Sequence, residues 1–256
     1  MFYIPTIIQI NLGFMTIQVW GLLAACAVLM GLVLTLRRAK KENIESGIIW
    51  DVVTLALLGM LAGGRFLYFL ALPNRQLADL IGIGGGFSFL GGALLGGFLV
   101  YTYLAYKRQD IWKLLDLSVS GFIIALIITR LGCLLVDDHI GKLTVLPWGK
   151  VFSDGTIRHP VTLYEIIFLI ALFFAISRLR QKLAREGSVF FLFIAGYSVF
   201  RLVIDFFRCD DLEICDARFY SLTPAQWLSS LLLGVAGVWL QAHRRHNNCL
   251  FEKKEV

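Results

Sequence analysis

The sequence predicts an all-α integral membrane protein with seven transmembrane helices, its N-terminus outside and its C-terminus cytoplasmic. It forms a single polytopic domain over 1–256. Three observations predict this. The chain is 58% hydrophobic and only 16% charged, with a mean hydropathy of +0.75, where a soluble domain averages about 45–50% apolar and about 25% charged. Seven stretches are apolar over the roughly 20 residues that a spanning helix needs. The 24 lysines and arginines are distributed unevenly among the connections.

The first span, 14–36, carries no charge, and its basic cluster follows the apolar run. A cleaved signal peptide has its basic residues in front, so this reads as a retained helix. The second, 47–72, contains only Asp51 and Arg65. Its Gly59 and Gly63, and Gly92 and Gly96 of the third span (80–106), have the four-residue spacing of closely packed membrane helices. The third span opens with Gly82, Gly84, Gly85 and Gly86, which predicts irregular backbone at the membrane boundary. The fourth (117–136) contains only Arg130, the fifth (161–177) only Glu165, and the sixth (188–207) Arg201 and Asp205, while the seventh (222–242) is uncharged.

Fifteen of the basic residues follow spans one, three, five and seven, six lie on the opposite side, and Arg65, Arg130 and Arg201 lie inside spans. The positive-inside rule then sets the orientation. The net charge of +6 is a topology signal and implies no nucleic-acid partner.

Ionisable residues within spans are costly and face polar interiors. Tyr197, Arg201 and Asp205 recur every four residues and share one helical face. They read either as a self-neutralising Arg–Asp pair or as an anion site whose arginine is oriented by the carboxylate. Arg65, Arg130 and Arg201 together resemble a phosphate clamp, because guanidinium forks match phosphate oxygens. Cys133 follows Arg130 by three residues and is either a small buried residue or a thiolate nucleophile favoured by the arginine. Cys26 reads as packing and Cys249 as a reduced cytoplasmic thiol. Cys209 and Cys215 share an outer loop where an oxidising exterior permits a disulfide. The acidic residues beside them are either solvated or hold a hard cation.

Arg130-Leu131-Gly132 through Gly141, with Leu146-Pro147-Trp148-Gly149, resembles the signature of bacterial prolipoprotein diacylglyceryl transferase. Trp20-Gly21, Gly64-Arg65, Phe87-Ser88-Phe89-Leu90-Gly91-Gly92, Arg158 to Glu165 and Tyr197 to Arg208 resemble further family segments, in family order. The resemblance implies transfer of a diacylglyceryl group from phosphatidylglycerol to the lipobox cysteine of a prolipoprotein, in the bacterial inner membrane and without a cofactor or metal. Arg130, Arg201, Asp205, Asp138 and Tyr197 would be catalytic. Arg65, Asp116, Cys133, Gly91, Gly92, His159 and Glu165 would bind substrate.

The departures from that pattern are concentrated in its polar positions. Leu90 stands where the family has the histidine regarded as its base, and leucine takes no proton. Cys133 and Val136 replace asparagines, Asp138 and Asp205 replace glutamates, and Trp20 replaces a tyrosine. His139 is a candidate substitute base. A diverged paralogue with another acceptor, or a non-catalytic lipid- or lipoprotein-binding protein, are the alternatives. A transporter is disfavoured because the polar residues cluster in one half of the membrane.

Overall fold

The computed structural model describes residues 1–72, 86–152, 154–183, 185–212 and 215–252, the last ten as backbone only. Gly82, Gly84, Gly85 and the side chain of Cys249 therefore lie outside what is described. Seven helices among the described residues are long and apolar enough to cross a membrane, and the chain is a multi-pass membrane protein. They are α1 (Val19–Lys41), α2 (Ser46–Ala71), α3 (Phe89–Tyr106), α4 (Ile111–Leu135), α5 (Val161–Leu179), α6 (Ser188–Ile204) and α7 (Pro224–Glu252). Single 3-10 turns extend α5 through Lys182 and α6 through Phe207.

Two small sheets accompany the helices. The expected first span begins five residues late, at Val19, because 9–18 forms a hairpin instead. Strand β2 (Gln9–Asn11) pairs antiparallel with β3 (Thr16–Gln18). The turn uses Gly13 at φ +83°, with its amide bonded to Asn11 Oδ1 at 3.0 Å. Strand β1 (Phe2–Tyr3) pairs parallel with β4 (Lys150–Val151), and β4 pairs antiparallel with β5 (Ile157–Arg158). The isolated bridge Gly141–Arg208 joins the connection 136–160 to the one that follows α6, and Leu143–Arg158 closes the first on itself.

Contacts cluster into two compact units, Leu32–Leu117 and Met1–Gly31 with Ser118–Val256. In the first, Leu32, Ala39, Ile49, Leu104, Leu114 and Leu117 form an apolar core. Helix α2 ends at Ala71 because Leu72 precedes a proline and is extended (φ −70°, ψ 134°). Gly86–Ser88 is non-helical, and Ser88 Oγ accepts from the Gly91 amide at 3.4 Å to start α3. In the second unit the core is Val119, Ile123, Leu169, Ile176, Val189 and Phe193. Its last helix opens on a reciprocal cap. Thr223 Oγ1 accepts from the Gln226 amide at 3.1 Å, Gln226 Oε1 accepts from the Thr223 amide at 3.0 Å, and Pro224 holds the first helical position.

Candidate active site

Glu165 sits one turn into α5, with 1% of its surface exposed, and two arginines converge on it. Arg130 of α4 reaches Glu165 Oε1 through Nε at 2.9 Å, and Arg201 Nη1 of α6 lies 3.6 Å from Oε2. The Tyr197 hydroxyl donates to Oε1 at 2.6 Å. Arg201 also pairs with Asp205 (Nη2–Oδ1 3.1 Å), the i+4 neighbour predicted to share its face. Asp205 is completely buried, and its Oδ2 accepts from the Thr223 hydroxyl at 2.6 Å.

Two cations and two carboxylates thus form one neutral cluster. The reading of Arg201 and Asp205 as an isolated pair is too narrow, because Arg201 is shared between two acids. The geometry serves two ends at once. Glu165 holds two like charges side by side without net repulsion. Each guanidinium has five N–H donors in a rigid fork, so donors remain for an anion on both.

The other predicted site residues divide between the two units. Arg65, on α2, donates to the Gly86 carbonyl at 3.1 Å and lies 5.1 Å from the Phe87 ring centre. Asp116, on α4, is buried. Leu90 is half exposed at the start of α3. Gly91 and Gly92 stand closely packed against α2. A Cβ on Gly91 would lie 2.3 Å from the Gly63 carbonyl oxygen, and one on Gly92 would lie 2.9 Å from that of Met60.

Around Arg130, Cys133 is buried with its Sγ 3.9 Å from Nη1. Asp138 is exposed and its Oδ2 lies 3.6 Å from His139 Nε2. His139 Nδ1 lies 2.8 Å from Arg208 Nη2. Arginine can only donate, so Nδ1 accepts and the ring proton sits on Nε2. Burial, then the charges of Arg208 and Arg130, push the imidazole down to about 4. The ring is neutral, yet its lone pair is occupied, so His139 as it stands is not the substitute base.

His159 Nδ1 lies 3.2 Å from the Tyr164 hydroxyl, which accepts from Trp148 Nε1 at 2.9 Å. Burial lowers the pKa of His159. Arg158 grips Asp211 with two bonds of 3.0 and 2.8 Å. The Cys209–Cys215 disulfide is formed, and its sulfurs are unavailable to a cation.

The sequence matches the prolipoprotein diacylglyceryl transferase family over residues 5–242. The chain belongs to this family. Among its relatives is the phosphatidylglycerol–prolipoprotein diacylglyceryl transferase of Streptococcus mutans, 31% identical over 95% of this chain and 96% of the relative. Those of Synechococcus elongatus and Clostridium tetani are each 30% identical, over 94% and 75% of this chain and 89% and 80% of theirs. Family membership fits the expected order of motifs, and the cluster on Glu165 occupies their polar positions.

Three contributors escaped the sequence reading. Thr223 and Gln226 were readable as a Thr-x-x-Gln capping box after an apolar loop. Lys150, 1% exposed, is bonded to Asp137 and to the Leu134 carbonyl. No pattern in the sequence pairs Lys150 with Asp137.

Proposed function

We propose that the protein is a phosphatidylglycerol-dependent transferase of the bacterial inner membrane. Its whole length works as one polytopic domain, with the N-terminus outside and the C-terminus cytoplasmic. It moves a diacylglyceryl group to the lipobox cysteine thiol of a prolipoprotein. The observation that carries this reading is the pair of arginines held on Glu165 beside Tyr197. In the reaction a thiolate sulfur attacks the glycerol carbon that bears the phosphate. The carbon–oxygen bond breaks, and glycerol phosphate leaves with one more negative charge than the diester carried. Arg130 and Arg201 receive that charge in a water-poor site, where fixed donors are worth most. Glu165 and Asp205 keep the two guanidinium groups in place, Tyr197 donates a hydrogen bond, and Asp138 positions the acceptor side. Arg65, Asp116, Cys133 and His159 support substrate binding.

A second reading, a diverged paralogue with another acceptor or with binding alone, is favoured by one residue. Leu90 offers no proton acceptor where the family pattern has histidine. Purified protein given phosphatidylglycerol and a lipobox peptide releases glycerol phosphate under the first reading. Phospholipid binding without release, together with activity gained in Leu90→His, replaces it with the second.

A further inference from the structure

The turn that ends α4 gathers three different metal-binding side chains. Cys133, Asp138 and His139 each present one donor atom, and these atoms all lie within 4.8 Å of one another. The backbone is bent to achieve this. Asp137 and His139 have positive φ of 56° and 61°, which side chains other than glycine's adopt at a cost. The Asp138 amide closes the turn on the Cys133 carbonyl at 3.0 Å, and the His139 amide fixes Asp138 Oδ1 at 3.0 Å. A cavity of about 230 Å³ opens beside them, lined by Asp138, His139, Ile140, Arg208 and Asp216 among others.

We propose that Cys133, Asp138 and His139 bind a divalent transition metal of the zinc class. The donor set decides the class. A thiolate with an imidazole excludes magnesium and calcium, which take oxygen, and suits zinc. Metal–ligand bonds of roughly 2.0–2.3 Å put tetrahedral ligands about 3.3–3.8 Å apart. The donor atoms must therefore draw in from separations of up to 4.8 Å when the ion binds.

Binding releases one proton and shifts another. The Cys133 thiol releases its proton to solvent. His139 ligates through Nε2, the nitrogen facing Asp138, and its ring proton moves to Nδ1. Nδ1–H then faces the Arg208 Nη2 donor, so the guanidinium must turn off the ring, keeping its bond to Asp216, whose Oδ2 lies 2.8 Å from Nη2.

Three protein ligands leave a fourth position open, as in catalytic zinc sites. A thiol bound there is deprotonated outright. That consequence rests on the transferase reading and gives this chain, with leucine at position 90, a route to an acceptor thiolate. The site itself does not depend on that reading.

The test uses the full chain in detergent, stripped with a chelator, loaded with Zn2+ and dialysed. One ion per chain is expected by elemental analysis. Loading with Co2+ gives a thiolate-to-cobalt charge-transfer band, lost in Cys133→Ser and kept in Cys26→Ser. Asp138→Asn and His139→Gln weaken metal retention by roughly tenfold or more. Absence of bound metal in the unsubstituted protein, or a cobalt band that survives Cys133→Ser, overturns the proposal. Should Cys133→Ser not fold, undiminished retention in both Asp138→Asn and His139→Gln overturns it equally. None of these readings requires turnover, so failure of the transferase reading leaves them intact.

Discussion

The pair α2–α3 and the pair α5–α6 are joined by opposite means. Between α2 and α3 the backbones touch. A Cβ on Gly59 would lie 2.4 Å from the Gly96 Cα, and one on Gly63 would lie 2.3 Å from the Gly91 carbonyl oxygen. Away from the glycines, the Tyr103 hydroxyl of α3 donates to Asp51 Oδ2 of α2. Between α5 and α6 the contact includes Glu165, Arg201 and Tyr197, and Arg130 joins from α4. Placing ions out of water costs several kcal/mol each before their attraction returns any of it. Small residues can hold membrane helices together, and the glycine contacts of α2–α3 are of that kind. The buried ions of α5–α6 cost more than such packing, and that cost points to chemistry.

Breaking the ionic interface carries the largest effect. Glu165→Gln keeps the shape of the side chain and removes the charge between two buried guanidinium groups. Removing one partner of a buried pair costs about 3–5 kcal/mol. The variant is expected to unfold at a clearly lower temperature and to lose glycerol phosphate release. The comparison sharpens with Arg130→Met combined with Glu165→Met, which removes a charge of each sign. Much of the stability returns, as apolar replacements of buried ion pairs are often neutral or stabilising, while transfer stays abolished. Recovery of both together would make the cluster a structural fixture. Thermal unfolding in detergent and the glycerol phosphate assay read the two quantities separately.

Breaking the glycine interface is the next largest effect, and it comes with an internal control. Gly91→Ala drives a methyl group into the Gly63 carbonyl oxygen, and overpacking of this kind costs about 1–3 kcal/mol. Gly97, on the same helix, has nothing within 4 Å of a built Cβ. There the same substitution gains helix propensity of about 0.5–1 kcal/mol. Opposite shifts in unfolding temperature are expected for the two alanines. Equal shifts would mean that α2 and α3 do not depend on the close approach.

This contrast also explains what could be read from sequence. The glycine interface is legible because its spacing is local to each helix. Gly59 and Gly63 announce it on one helix, Gly92 and Gly96 on the other. The Tyr197, Arg201 and Asp205 face is legible for the same reason. The family resemblance puts Glu165 among the substrate-binding residues, but no sequence pattern puts it between two arginines. That arrangement depends on where α4, α5 and α6 meet, which no single helix encodes. The second half of the 9–18 hairpin, Phe14 to Gln18, is uncharged and runs straight into the apolar helix, which hides it in the sequence. Leu12 and Phe14 flank a glycine whose left-handed φ makes a turn. Hydropathy counts such residues toward the helix, while the turn removes them from it.

The smallest expected effect lies in the connections, where the buried Arg158 pairs with the exposed Asp211 outside the spans. Its two hydrogen bonds join strand β5 to the loop closed by the Cys209–Cys215 disulfide. Hydrogen bonding to Arg158 holds the Asp211 carboxyl below its ordinary value of 3.8. A depressed carboxylate contributes stability that is fully present above the ordinary value. That stability is lost as pH falls through the lowered one. The loop should therefore keep its amide protection from neutral pH down to about pH 4 and lose some of it below. Because Asp211 is exposed, solvent screens the pair and the change is small. Amide exchange at Cys209 and His159, whose N–H groups bond to the Ile140 and Lys142 carbonyls, measures it. Asp211→Asn should remove the pH dependence while sparing the buried cluster on Glu165. A loss of protection that begins well above pH 4, or that persists in Asp211→Asn, would assign the sensitivity to a different group. The cluster on Glu165 joins three helices, whereas this pair ties one loop to a strand, which is the difference between an ion pair that forms a site and one that holds a connection.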